Sequence, residues 1–387
     1  MMKDYFADLH IHIGRTYTGK PVKITAAKNL TLTNILKAAR FPKGLDIVGV
    51  IDCHSPEVIE EMTMLLNASE LVELKEGGFR FQEDVTLIPG TEMELLDEKC
   101  SGPIHVLAYF PTLQSLTDFS AWLSKRVTNI QLSTQRVYES AVTVQETVRS
   151  LGGLFIPAHV FTPFKSLYGK GVKQSLTEVF AQDQIDAMEL GLSSDTAMAD
   201  QMNELHHYVF LSNSDAHSLP KMAREYQKVR LASPTFRSIQ KMMHRLDGHH
   251  IVENYGLNPF LGKYYRTACA KCFTVKEGDT CSECGSKKFT KGVSERIAEL
   301  AKGGTPPTRP PYIHQVPLDF LPGLGPKTKE TLYHHFGSEM NILHRVTRED
   351  LQAVIKPQLS DLILQARKGG LELEAGGGGR YGKVAKR

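Results

Sequence analysis

Imidazole and carboxylate side chains gather at two points of this chain where they could hold metal ions. One is Asp8-Leu-His10-Ile-His12, close to the start, and the other is Asn213-Ser-Asp215-Ala-His217, far downstream. Each follows an apolar run that reads as a β-strand. In a barrel of parallel strands, the residues at the strand ends meet on one rim, so ligands distant in sequence can converge on shared metals. The chemistry that such a rim offers is metal-assisted hydrolysis of a phosphate ester.

The same placement recurs between these two motifs. Asp52 and His54 follow a second apolar segment, Glu92 lies on a third, His105 on a fourth, and His159 follows a fifth. A lone histidine beside a strand is ordinarily structural. Their joint placement sets these residues apart, since nearly every strand delivers a candidate ligand at the same end. His10, His12, Glu92, His105, His159, Asp215 and His217 are therefore the expected barrel ligands and catalytic residues, together with Asp52. Asp52 is favoured over His54 at the second strand because it stands at the end of the apolar run. Mixed imidazole and carboxylate donors suit zinc, manganese or iron, and a bridging carboxylate lets metals sit within about 4 Å of one another.

Stepping along the chain, seven apolar, β-branched segments predict the strands that carry these residues: Asp4 to His12, Ile47 to Asp52, Val85 to Glu94, Ile104 to Phe110, Leu154 to His159, Met188 to Leu192 and Val209 to Asp215. Amphipathic stretches at helical spacing lie between several of them, over Pro56 to Leu74, Leu116 to Arg149 and Met198 to His206. This alternation predicts an α/β fold with a parallel barrel of seven strands, over residues 1–249. Ser233 to Leu246 reads as its closing helix, with Ser233 as N-cap and Pro234 at the first position.

The six cysteines are unevenly placed. Cys269, Cys272, Cys281 and Cys284 form two Cys-x-x-Cys pairs, while Cys53 and Cys100 stand alone. Paired thiolates at this spacing predict a structural zinc site rather than disulfides, within a ribbon domain over 250–295. A Pro/Gly-rich run, Gly303-Gly-Thr-Pro-Pro-Thr-Arg-Pro-Pro311, predicts a stiff, extended linker over 296–312. In the 313–370 segment, Pro322-Gly-Leu-Gly-Pro-Lys327 precedes an amphipathic helix. A glycine hairpin there would turn backbone N–H groups outward to a phosphate, with Gly323, Gly325 and Lys327 as contacts. Residues 371–387 read as a basic, disordered tail.

Charge is divided along the chain. Residues 1–249 hold 25 Lys/Arg against 29 Asp/Glu, whereas 250–387 hold 21 against 14, so a net +3 conceals an acidic N-terminal part and a basic C-terminal third. The basic third points to a polyanionic partner. No run of apolar residues approaches the roughly 18 that a membrane span needs, so a cytoplasmic, nucleoid-associated protein is expected. After His159, the run Phe161-Thr-Pro-Phe164-Lys165-Ser-Leu-Tyr168-Gly-Lys170-Gly-Val-Lys173 interleaves aromatics with lysines. Phe164 and Tyr168 could stack on a displaced base while Lys165 and Lys170 hold phosphates.

Together these motifs resemble the polymerase and histidinol phosphatase (PHP) family. Its hallmarks are a first His-x-His, a central Gly-x-Glu, an Ala-His after the fifth strand and a final Asp-x-His. Here they read Asp8-Leu-His10-Ile-His12, Pro89-Gly-Thr-Glu92, Pro157-Ala-His159 and Ser214-Asp215-Ala-His217. The resemblance implies a distorted seven-stranded barrel with up to three metals. Ile51-Asp52-Cys53-His54 departs from the family's Thr-Asp-His.

A narrower resemblance, over about residues 1 to 290, is to the endonuclease Q family. The four-cysteine ribbon carries it, with Ala158-His-Val-Phe-Thr-Pro-Phe164, Gly191-Leu-Ser-Ser-Asp195 and Ser212-Asn-Ser-Asp-Ala-His217. It implies incision of DNA on the 5′ side of uracil, hypoxanthine, xanthine and abasic sites. Metal-activated hydroxide would be the nucleophile, with Mg²⁺ or Mn²⁺ for activity and the target base flipped from the stack. Pro322 to Lys327 resembles the helix-hairpin-helix motif, and a replication clamp or helicase is a candidate partner. A small-molecule phosphoesterase of the histidinol phosphatase type would share the barrel but has no need of ribbon, hairpin or basic third.

Overall fold

The computed structural model describes residues 1–262 and 264–371, together with the backbone of 373–374 and 383–384. All seven expected segments contain strands: β1 Lys3–Ile11, β2 Ile47–Val50, β3 Val85–Leu95, β4 Ile104–Tyr109, β5 Leu154–Pro157, β6 Met188–Glu189 and β7 Phe210–Leu211. β1 to β3 are parallel neighbours, and β6 and β7 form a parallel pair. Backbone bonds from Asp186 N to Phe155 O and from Val160 N to Glu189 O join β5 to β6, and Ala216 N to His10 O brings the chain after β7 back to β1.

The expectation of an all-parallel barrel needs correction at β4. It pairs antiparallel with both β3 and β5, because only the short connection 96–103 separates it from β3. A parallel crossover takes a dozen or more residues, so this one must turn back as a hairpin. Reversal puts His105 at the start of its strand and still on the rim where the other strands end.

Side chains alternate along the strands. Ala7, Leu9, Ile47, Ile88, Leu107, Tyr109 and Ile156 form one inner apolar cluster, and a larger cluster lies on the other side under the helices. β1 and β2 approach so closely that a Cβ on Gly49 would fall 2.3 Å from Leu9 O, which only glycine permits. Among the helices, the stretch expected over Pro56 to Leu74 is helical only as Pro56–Asn67, with Leu71–Glu73 a strand; Leu116 to Arg149 resolves into Leu113–Ser124 and Ala141–Ser150, and Met198 to His206 holds only the end of Thr196–Ala199 and the turn Asn203–Leu205. The closing helix is Phe236–Met243, shorter than expected and capped by Thr235. Thr86 Oγ1 donates to Pro234 O, and Phe236 N to Gly77 O, so this segment is held out of the helix until Thr235.

Beyond the seven strands the sheet continues through β8 Tyr226–Leu231 and β9 His250–Gly256 to β10 Tyr312–His314. The expected linker is thus tied into the sheet. Its first residues belong instead to helix α1, Val293–Leu300, which buries Val293, Ile297 and Leu300 on one face. Residues 301–311 have no regular structure, yet Arg309 is fastened to Asp200 at 2.8 Å and lies 3.9 Å over the Phe210 ring. The C-terminal segment forms helices α2 Pro326–Phe336, α3 Glu339–His344, α4 Arg348–Val354 and α5 Pro357–Arg367. The expected tail lies mostly outside the described residues; Leu373–Glu374 pairs with Lys383–Val384. Among the described residues no helix is long and apolar enough to cross a membrane.

The C-terminal helices dock on the sheet through buried groups. Lys43 Nζ meets Glu339 at 2.7 Å, and His344 stacks on Phe6 at 4.5 Å with its Nε2 2.7 Å from the Tyr226 hydroxyl. Burial, aided by Lys228, Arg367 and Arg345, pulls His344 from 6.5 down to about 3. The folded state therefore refuses a proton that the unfolded chain accepts, so this stability is full above pH 6.5 and is lost as pH falls toward 3. Lowering the pH from 7 to 4 should cost about 3 kcal/mol through this group. Urea unfolding of His344→Phe against the parent across that range checks it, the variant showing the smaller acid loss.

Candidate metal centre

Strand ends bring seven of the predicted residues into three overlapping groups. His10, His12 and Glu92 form one, His12, Asp215 and His217 a second, and Glu92, His105 and His159 a third. In each, one donor atom per residue lies within 4.8 Å of the others. His12 and Glu92 are shared, so the groups form a continuous cluster rather than three separate sites.

Glu92 is its middle. One carboxylate oxygen lies 3.0 Å from His105 Nδ1 and 3.3 Å from His159 Nε2, and the other is 3.6 Å from His12 Nε2. Burial alone would protonate this acid, but His105 and Lys23 outweigh it and hold the carboxyl well below the ordinary range. Asp215 Oδ1 stands 3.5 Å from His10, 3.4 Å from His12 and 3.3 Å from His217.

The arrangement fits metal ions by an unmet donor. His10 Nε2 is buried without a hydrogen-bond partner, a costly condition unless an ion takes the lone pair. His10 turns that nitrogen inward because its Nδ1 faces Glu189 at 2.9 Å. Burial opposes a charge on His10, yet Glu189, Asp215 and Glu92 together raise it to about 10. Such a carboxylate behind a metal-facing imidazole fixes the ring and raises its basicity.

Asp52 takes a different place from the one expected. Its Oδ2 accepts from His12 Nδ1 at 2.9 Å and from Ile13 N at 2.8 Å, so it stands behind His12 and belongs to none of the three groups. Although burial pushes Asp52 up, His12 and Lys23 bring it down to about 2. His54 is not brought to the cluster either. Thr91 Oγ1 takes its Nδ1 at 2.7 Å and Leu132 O its Nε2 at 3.4 Å, leaving no lone pair for a metal.

Two groups escaped the sequence reading. Glu189 ends β6, the one expected strand with no assigned ligand, and that gap was the available signal. Besides His10, it accepts from His159 N at 2.9 Å and Asn213 Nδ2 at 2.8 Å. Lys23 comes from a loop without a motif. Its Nζ lies 3.2 Å from Glu92 Oε2 and 2.6 Å from Thr134 Oγ1, and nothing in the spacing foretold it.

The cluster floors a cavity of about 270 Å³, also lined by Phe164, Lys165, Leu192, Asn213, Arg224 and Tyr264. Gly191 borders it at φ +79°, where a Cβ would lie 2.7 Å from His159 Cβ. Phe164 is exposed at the mouth and meets Tyr264 edge-on at 5.4 Å. Lys165 pairs with Glu94 at 2.9 Å. Tyr168 corrects the expectation of a base platform: it is fully buried and stacked on Phe161. Lys170 is exposed but does not line the cavity.

The four clustered cysteines form a second site, with all four sulfurs within 4.8 Å of one another. Lys271 N donates to Cys269 Sγ at 3.4 Å, as suits a thiolate. At the glycine hairpin, Gly323 has φ +80° and Gly325 is the N-cap of α2 with no side-chain cap bond, while Lys327 is exposed. Only a single 3-10 turn, Leu318–Phe320, precedes this hairpin.

A rim of strand ends carrying shared carboxylates and inward-turned imidazoles is the donor set of a metal-dependent hydrolase. No family model matches the chain. It is 53% identical over 386 residues to the uncharacterized protein YqxK of Bacillus subtilis (strain 168), covering 99% of this chain and 100% of that one. The solved structure of the lesion-specific endonuclease PfuEndoQ from Pyrococcus furiosus superposes with a TM-score of 0.84 at 31% identity, over 99% of this chain and 95% of its own. Endonuclease Q in complex with a 27-mer duplex substrate with an abasic lesion at the active site gives 0.84 and 32%, over 100% and 97%. The chain belongs to the endonuclease Q family.

If Glu189 holds His10 for a metal, Glu189→Gln should weaken metal binding at the cluster by about tenfold or more while the fold survives. Manganese titration by calorimetry checks this. Unchanged affinity would leave Glu189 with a packing role only.

Proposed function

We propose that this protein is a DNA repair endonuclease that cuts the phosphodiester 5′ of deaminated bases, namely uracil, hypoxanthine and xanthine, and of abasic sites. The observation that carries the reading is the cavity of about 270 Å³ against the metal cluster. It is too small for a duplex and suited to a single nucleotide, so a base would have to leave the stack to enter. The full-length likeness to an endonuclease Q holding abasic DNA supports the same substrate class.

Metal ions bound there would lower the pKa of an attacking water and neutralise charge on the phosphate. Mg²⁺ or Mn²⁺ suits the cluster, and zinc suits the four cysteines, whose donors are all sulfur. The protein's own part is to hold the ligands still: Glu189 fixes His10, Asp52 fixes His12, and Lys23 balances Glu92. Arg224 and Lys165 line the cavity with positive charge for a non-bridging oxygen, and Phe164 and Tyr264 offer ring faces to a base at the mouth. We read the ring of β1 to β7 as the distorted seven-stranded barrel of the catalytic domain, 1–249. On this reading the ribbon and the helical module of 313–370 hold the duplex, the latter through the Gly323 to Lys327 hairpin.

End-labelled duplexes with one uracil, hypoxanthine or abasic site, incubated with Mg²⁺ or Mn²⁺, test the reading on a denaturing gel. The expected product is a discrete cut 5′ of the lesion, absent from undamaged DNA. Asp215→Asn should reduce it by about a thousandfold or more, with DNA binding kept within about tenfold. Cutting by that variant at the native rate would overturn the assignment of the site. Intact damaged DNA beside rapid phosphate release from small esters would move the function to the histidinol phosphatase type.

For the ribbon, the expected effect of Cys269→Ser is the loss of one zinc per chain with weaker DNA binding. Elemental analysis of the purified variant decides it, an unchanged zinc content being the contrary result.

A further inference from the structure

The ribbon reaches the mouth of the cavity at two points that share one structural element, helix α1. The guanidinium of Arg296, on this helix, donates from Nε to Tyr168 O at 2.8 Å and from Nη2 to Val172 O at 3.0 Å and Lys173 O at 2.8 Å. These carbonyls belong to the loop that leaves ligand His159 and carries Phe164 and Lys165 to the mouth. They lie in and just beyond the turn Leu167–Gly171, where the backbone runs short of N–H partners. The planar fork of arginine reaches several acceptors at once, which the single ammonium of lysine cannot do.

The second point is Tyr264, whose ring meets Phe164. Its carbonyl accepts from Val293 N at 3.0 Å, so the first residue of the same helix anchors it. The helix is in turn bound to the ribbon. Gly292 N donates to Thr267 Oγ1 at 2.8 Å, and Phe289–Thr290 pairs with Ala268–Cys269, which contains the first thiolate. A Cβ on Gly292 would fall 2.4 Å from Arg266 C, a measure of how closely the two backbones are joined.

The loop has reason to depend on this hold. Phe164 and Lys165 are exposed, and Lys165 has a left-handed φ of +53° without being glycine, a conformation that its surroundings must maintain. On the barrel side its tethers include His105 N to Lys165 O at 2.9 Å, Ser101 N to Gly171 O at 2.8 Å, Tyr168 N to Val160 O at 2.8 Å and the Lys165–Glu94 pair at 2.9 Å.

We propose that Arg296 is a positioning residue for DNA cleavage: it conveys the folded state of the four-cysteine ribbon to the loop of 162–173 and so holds Phe164 and Lys165 at the mouth. The proposal rests on the reading of the cavity as the site of an extruded nucleotide. It gives the ribbon a part in substrate engagement through the loop of 162–173. Loss of the hold changes how readily a nucleotide is captured and leaves the hydrolytic step itself as it was.

Hydrogen exchange of the full-length protein, followed in peptides over 162–173, is the direct test, paired with steady-state nicking of a duplex bearing one abasic site. In Arg296→Ala, exchange there should rise about tenfold with the barrel strands unchanged, and KM should rise about tenfold with kcat within about twofold of the parent. Arg296→Lys, which keeps the charge, should fall between the two. Cys272→Ser, which leaves Arg296 in place but removes a thiolate, should loosen the same peptides. Unchanged exchange in both Arg296 variants overturns the proposal, and so does a fall in kcat with KM unaltered. If the loop loosens as expected but the parent protein nicks none of the lesion duplexes, the coupling stands and the assigned function falls.

Discussion

A single buried carboxylate sets the terms for the rest of this molecule. Glu92 is almost wholly inside the protein, where an isolated charge would be prohibitively costly. It stays ionised because imidazoles from three other strand regions and the ammonium of Lys23 converge on it. That convergence requires β1, β3, β4 and β5 to end on one rim, whatever the direction of each strand. Metals at this rim would make the same demand, since both ligand groups that contain Glu92 draw their remaining members from other strands.

The supporting layer follows from the same electrostatics. An imidazole that is to present a lone pair is held by engaging its other nitrogen, and the chain does this with Glu189 for His10 and Asp52 for His12. Asp8, although part of the opening motif, does neither. It accepts from Ser214 N and Ala223 N and thereby pins the end of β1 to the loop that carries Asp215 and His217. Burial raises its pKa, and the bonds from those backbone groups oppose the rise. The Asp8 to His12 and Asn213 to His217 motifs are thus fastened to each other directly.

Around this centre the later parts of the chain are integrated more closely than their composition suggests. The proline-rich run is held by Arg309, whose guanidinium finds Asp200 and the Phe210 ring, and it feeds a strand into the main sheet. Proline content speaks to the stiffness of a segment and says nothing of what it lies against. Tyr168 makes the same point from the other side. An aromatic among lysines reads as a stacking platform, yet its ring is part of the core, and burial is a property of the whole fold.

By itself the sequence determined the strands and nearly all of the residues that gather in the cluster. Seven apolar runs are legible because a strand buried on both faces must be apolar along its length, and His10, His12, Glu92, His105, His159, Asp215 and His217 stand out because polar groups at the ends of such runs are seldom there by chance. The thiolate cluster is legible for a similar reason, as spacing confines four sulfurs to one short stretch. Only the tertiary structure decided which acid stands behind an imidazole and which one enters the cluster, since Asp52 and Glu92 occupy comparable places in sequence and differ only in whether an imidazole lies between them and the centre. It also decided the direction of β4, the recruitment of Lys23 from an unmarked loop, and the hold of Arg296 on the mouth. These depend on distances between residues far apart in the chain, and periodicity carries no information about such distances.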